Sequence, residues 1–248
     1  DASSGGGIIN VVLKKSTRPG YSGQLQGGIG TNGRYQSNGN LNVKDGRWTF
    51  QLSGNYNYSA NNTTSLTKRD LLSGDLVTSR FDQEGNSGSD RNNYGGRFGV
   101  DWKASNRSTL SFSQSARGRA FTSDDQLDYV QYDSTGGIEF TGRQLNVGSN
   151  NSNDLTSQFT FRHRTPKEGR EWSTDLTYNR SRRDNDALYT TETNDADGLP
   201  SIGSPRVQDN IGSTDADQFT WQFDFSDPRG ERAKFEYGLR SNVRLEIG

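Results

Sequence analysis

Nine stretches of the chain alternate apolar with polar side chains, residue by residue. In residues 48–58, Trp48, Phe50, Leu52, Gly54, Tyr56 and Tyr58 take one parity, and Thr49, Gln51, Ser53, Asn55 and Asn57 take the other. Side chains of a β-strand point alternately to opposite faces, so this is a strand with one greasy side and one wet side. The same split predicts strands over 21–29, 35–43, 48–58, 94–102, 109–117, 155–163, 172–180, 218–225 and 233–247. Short turns rich in Gly, Pro, Asn and charge are expected at 44–47, 104–107, 166–170 and 227–231. Segments rich in Asn, Ser, Asp and Thr at 59–93, 122–154 and 183–217 read as long loops on the opposite side. Within the second of these, 127–132 and 138–147 could pair as a hairpin.

Alternation alone fits a soluble sandwich as well as a membrane barrel. Composition separates them. Leu, Ile, Val and Phe make up about 18% of the 248 residues, below the roughly 20% typical of chains with a packed core. Disorder is a poor alternative, because net charge is −1 and the chain holds 12 Phe, 10 Tyr and 4 Trp. A barrel wall reconciles these facts, since its lumen and its loops are polar and only every second strand residue meets lipid.

Ten steps along 48–58 cover about 33 Å, or roughly 23 Å of height at a tilt of about 45°, against a lipid-facing band of about 25 Å. Trp48, Trp102, Trp172 and Phe225 stand beside the short turns, and Tyr35, Tyr58, Tyr94 and Tyr178 stand at the far strand ends. Two interfacial aromatic girdles are the expectation. The fold class is therefore all-β, an antiparallel transmembrane β-barrel in the outer membrane. Nine strands form part of it, because bacterial single-chain barrels have even counts and hydrocarbon does not tolerate free edges.

Ahead of the first strand runs Gly5-Gly6-Gly7-Ile8-Ile9-Asn10-Val11-Val12-Leu13-Lys14-Lys15, then Pro19-Gly20. This stretch resembles the end of the plug domain of TonB-dependent outer-membrane receptors. The resemblance implies that 1–20 closes a plug, that 21–248 begins a barrel of 22 strands, and that the sequence is an internal piece of a longer protein. It also implies active uptake of a scarce nutrient such as an iron chelate, cobalamin, a glycan or a peptide. The partners implied are outer-membrane lipid, the TonB complex through a region upstream, the nutrient itself, and in some members a surface lipoprotein. Two other readings stay open: a porin-like or secretion-linked barrel without TonB coupling, and a soluble or surface adhesive β-protein.

Other motifs carry less. Gly28-Ile29-Gly30-Thr31-Asn32-Gly33 has the glycine spacing of a dinucleotide site, but a polar strand follows where that site needs a helix, so a hairpin turn is expected. Asp195, Asp197 and Gly198 mimic part of a calcium loop, yet Thr193 and Ser204 stand where its first and last ligands belong. No metal site and no cofactor are expected, and looser cation binding by Asp184, Asp186, Asp195 and Asp197 is left as the weaker alternative to a solvated loop. His163, the only histidine, is too little for an acid-base set, so no catalytic residue is assigned and no enzyme is expected. Neutral net charge argues against a nucleic-acid partner. Lumen-facing Arg97, Asp101, Arg162, Asp175, Asp224, Lys234, Glu236 and Arg240 are mixed in sign. The loop aromatics Phe81, Phe121, Tyr129, Tyr132 and Tyr189 are the candidate ligand contacts, because large rings placed in water are otherwise costly.

Overall fold

The computed structural model describes residues 19–31, 33–229 and 233–247. The Gly5–Lys15 stretch lies outside them. All nine expected strands are present: β1 (Gly20–Gly30), β2 (Arg34–Asp45), β3 (Trp48–Ser73), β4 (Leu76–Trp102), β5 (Ser108–Tyr132), β6 (Ile138–Arg164), β7 (Glu171–Asp195), β8 (Arg206–Arg229) and β9 (Ala233–Ile247). They form one antiparallel meander in the order of the chain, and β1 and β9 do not pair with each other. The described residues are an open section of wall.

Register explains why the pattern is so regular. Tyr21 pairs with Val43, Val43 with Phe50, Phe50 with Val100, Val100 with Phe112, and Phe112 with Phe159. The row continues through Leu176 and Trp221. Every strand thus presents its apolar parity to the same face, and a slip of one residue would turn a strand's entire apolar set inward. Among the described residues no apolar side chain is buried, and Leu52 stays 55% exposed. Burying such a side chain is worth about 1.5–3 kcal/mol. Among the described residues no second layer supplies that burial, which a medium of hydrocarbon would.

Aromatic girdles mark the two boundaries of the apolar face. Near the short turns Trp48 stacks on Trp102 at 5.4 Å, and Trp172 lies 5.0 Å from Phe161 and 6.1 Å from Phe223. At the other boundary Tyr35 stacks on Tyr58 at 5.9 Å. His163 sits in the lower girdle, its ring 5.8 Å from Trp172 and its Nδ1 2.9 Å from the Ser108 hydroxyl.

Turn chemistry closes the hairpins. Only Gly46 and Arg47 separate β2 from β3, and Gly46 has φ of 54°. Gly74, at φ 63°, plays the same part between β3 and β4. Two-residue hairpin turns need positive φ, which glycine adopts without a Cβ clash. The 28–33 glycines likewise end β1 and start β2, with Gly33 at φ 67° and a strand rather than a helix following.

One expectation is corrected. The segments 59–93, 122–154 and 183–217 are mostly paired strand, with turns left at 74–75, 133–137 and 196–205: β3 and β4 stay paired from Ser59↔Arg91 up to Ser73↔Leu76, β5 and β6 up to Tyr132↔Ile138, and β7 and β8 up to Thr191↔Arg206. Above the tyrosines both faces of the sheet meet water, so the period-two contrast disappears while backbone pairing continues. The paired pieces at 127–132 and 138–147 belong to this longer hairpin, with Leu127 opposite Gln144. Some fifteen residues of β3 stand beyond the apolar band, about 50 Å of strand.

Candidate ligand-facing wall

The polar parity of the strands defines one continuous inner face. All eight charged residues expected there lie on it, for Arg97 pairs with Ser53, Arg162 with Ser173, Asp175 with Gln222, and Gln222 in turn with Arg240. Near the short turns this face encloses a concavity of about 770 Å³ lined by Arg47, Asp101, Lys103, Arg107, Arg162 and Arg164. Hydroxyls donate to carboxylates of the inner face: Ser111 to Asp101 at 2.5 Å, and Thr160 to Asp175 at 2.5 Å.

Higher on the same face the structure gathers some of the candidate aromatics and not others. Phe81 stacks on Tyr129 at 5.8 Å, and Tyr129 meets Phe140 edge-on at 6.3 Å. Phe140 was not among the expected contacts, although it shares the parity of Gln144 and Asn146 on β6. The Tyr129 ring lies over Gly142, where an added Cβ would stand 2.3 Å from its Cζ. Absence of a side chain there makes room for the ring, whose hydroxyl comes within 3.4 Å of Thr193 Oγ1. Phe121 stands apart, capped by the Arg91 guanidinium at 5.6 Å from the ring centre. Tyr189, opposite Asn146, is on the inner face but in no ring pair among the described residues, and Tyr132, opposite Arg80, falls on the other parity beside the turn.

The outer face of these hairpins differs in charge. Asp90, Asp124, Asp186 and Asp209 border an outer concavity of about 660 Å³. Exposed pairs tie neighbouring strands across this face, Arg80 to Asp70 at 2.7 Å and Arg143 to Asp128 at 2.6 Å. The Arg143 guanidinium, with the Gln126 amide, holds the Asp128 carboxyl below its ordinary range. Asp195, once a candidate cation ligand, instead accepts the backbone N–H of Asp197 at 3.1 Å and of Leu199 at 2.9 Å, and so shapes its turn. Asp184 is engaged by Arg182 at 3.2 Å.

On the short-turn side a single carboxylate ties two turns together. Asp227, 4% exposed, accepts from Lys167 Nζ at 2.7 Å and from Arg170 Nε at 2.8 Å and its terminal nitrogen at 2.9 Å. Arg229 approaches to 3.3 Å. Arg170 first, then Lys167, holds this carboxyl far below the usual range.

A sheet that is apolar on one face over the height of a bilayer, girdled by aromatics, and wet on the other face is a section of transmembrane β-barrel wall. Residues 163–246, spanning β7, β8 and nearly all of β9, match the outer membrane protein beta-barrel family. The chain resides in the outer membrane. No curated protein matches it. Among solved structures, the crystal structure of Pseudomonas aeruginosa OccK10 (OpdN) aligns at 9% identity over 92% of this chain and 98% of its own, with a TM-score of 0.10. A superposition that loose carries no argument.

Proposed function

We propose that this wall belongs to a TonB-dependent receptor that imports a scarce nutrient actively. The observation carrying the reading is the plug-like Gly5–Lys15 stretch placed directly before β1. Two features of the wall support it. The hairpins rise far beyond the bilayer, as a capture surface requires, and their inner face bears clustered aromatic rings above a polar descent. In this reading 1–20 ends the plug, strands beyond β1 and β9 complete the barrel, and the protein binds and moves its ligand without catalysing a reaction. Phe81, Tyr129, Phe121 and Tyr189 touch the ligand, joined by Phe140, while Tyr132 contributes from the hairpin tip. Lipid surrounds the band, TonB is engaged from the periplasm, and a surface lipoprotein is a further partner that the tall hairpins could support.

The test uses the full-length protein. Purified receptor should bind the periplasmic domain of TonB in solution, and in a planar bilayer it should show no steady open conductance, because a plug fills it. Failure to bind that domain, together with a permanently open channel, would replace this reading by a passive porin-like barrel.

A further inference from the structure

The inner wall holds a patch of arginines with an excess of positive charge. Arg91 and Arg97 on β4, and Arg117 and Arg119 on β5, share the inner parity, and all four are exposed. Arg91 pairs with Phe121, so Arg119 is its diagonal neighbour, and Arg97 pairs with Ser115, so Arg117 is its diagonal neighbour. Diagonal neighbours across a sheet have Cβ atoms about 7–8 Å apart, within reach of long side chains. Arg183 joins from β7, since Arg119 pairs with Ser152 and Ser152 with Arg183. None of the five takes part in an ion pair among the described residues. On the inner face of β4 to β7, Asp154 stands directly opposite Arg117 and is the one carboxylate at their level among the described residues.

Two contacts hold the patch in shape without discharging it. Arg119 Nε donates to Asn93 Oδ1 at 3.2 Å, and the Arg91 guanidinium stands over Phe121. Like charges gathered on one face repel one another, and an anion received among them relieves that repulsion. The outer face of the same strands is mixed in sign at comparable heights, with Asp90, Asp124, Asp184 and Asp186 set beside Arg180 and Arg182, and Arg182 engages Asp184 at 3.2 Å. The excess of positive charge therefore stands on the lumen side of the wall. Below the patch, the concavity lined by Arg47, Lys103, Arg107, Arg162 and Arg164, with Asp101 the one carboxylate among its lining residues, carries the net positive lining toward the periplasmic turns.

We infer that the ligand this wall receives is a polyvalent anion, carrying clustered carboxylate or phosphate groups, gripped by Arg91, Arg97, Arg117, Arg119 and Arg183. Guanidinium forks match both groups bidentately, which selects Arg over Lys for the task. Phe121 beneath Arg91 and the Phe81, Tyr129 and Phe140 rings above supply apolar contact for the rest of the molecule. The assignment rests on the import reading above and names its substrate class.

The experiment is calorimetric titration of the full-length detergent-solubilised receptor with citrate and with pyrophosphate at low ionic strength, with trehalose as the neutral counterpart. Citrate or pyrophosphate should bind and weaken as salt is added, and trehalose should not bind. Whichever of the two binds more tightly tells carboxylate from phosphate. The pair Arg117→Gln and Arg119→Gln should weaken binding by about tenfold or more, Arg119→Lys should retain part of it, and Lys68→Gln on the outer face should leave it unchanged. Heat-modifiable migration on gels confirms that each variant is a folded barrel. Absence of binding by both anions, or equal affinity in the glutamine pair and the parent, overturns the assignment. Association with TonB is read separately, so either idea can fail without the other.

Discussion

Below Tyr58 and Tyr94 the sheet has one apolar and one polar face; above them, in the same strands and the same register, both faces are mainly polar with scattered apolar side chains. β3 shows the contrast within a single element, where Phe50 and Leu52 share a parity with Leu66 and Lys68 further up. The lower half is held by its solvent, since lipid covers what no second layer covers and leaves every backbone group to be satisfied within the sheet. The upper half is held by the sheet itself: by ladder hydrogen bonds, by side-chain pairs such as Thr64 with Asn86 and Ser87 with Asp125, and by exposed ion pairs. The medium on each side, and not the backbone, makes two regions out of one wall.

That contrast can be broken most forcefully by a charge. Leu52→Arg should destabilise the barrel by about 2–4 kcal/mol and block assembly, whereas Leu66→Arg, at the same parity but above the band, should assemble normally. Heat-modifiable migration of membrane fractions reads both. Equal behaviour of the two would show that the lipid boundary is misplaced.

A smaller effect is expected from Tyr129→Ala, which removes both ring contacts of the aromatic cluster. Aromatic pairs contribute about 0.5–1.5 kcal/mol beyond their area, so amide exchange near the tips of β5 and β6 should quicken while the band keeps its protection. Quickening in the band as well would mean that the hairpins and the membrane section unfold together.

The periplasmic edge should respond to acid. Arg170 and Lys167 depress the Asp227 carboxyl, so its contribution is complete above the ordinary carboxylate pKa of about 3.9 and is lost as pH falls below that value. Thermal melts of Asp227→Asn should show a shallower loss of stability in this acid range than the parent. Identical pH profiles would remove the clasp from the account. The smallest change is expected from Arg143→Gln, an exposed pair worth about 0.2–1 kcal/mol, detectable as a slight loosening of the upper hairpins at low salt.

Much of the wall was legible from parity. Strand number, order, inner and outer faces, both girdles and the short turns follow from apolar positions that recur every second residue, because lipid imposes that period. The upper strands were illegible for the same reason: water on both faces erases the contrast, and polar residues such as Thr63, Ser65 and Asn86 read as loop. Phe81 and Tyr129 stood out singly as large rings in polar surroundings, but their contact, and Phe140 beside them, depended on cross-strand register. Arg91 could have been placed by carrying the parity of Arg97 upward through β4. Its neighbours Arg119 and Arg183 could not, because they come from strands whose alignment no local pattern reveals.

What the chain dictated alone is the membrane-spanning band, since a period of two needs only the geometry of a single strand to become a face. What tertiary structure decided is which residues of different strands become neighbours. Register places Tyr129 over Gly142 and assembles arginines from three strands into one patch, because side-chain neighbourhoods in a sheet are set across strands at about 5 Å and not along them.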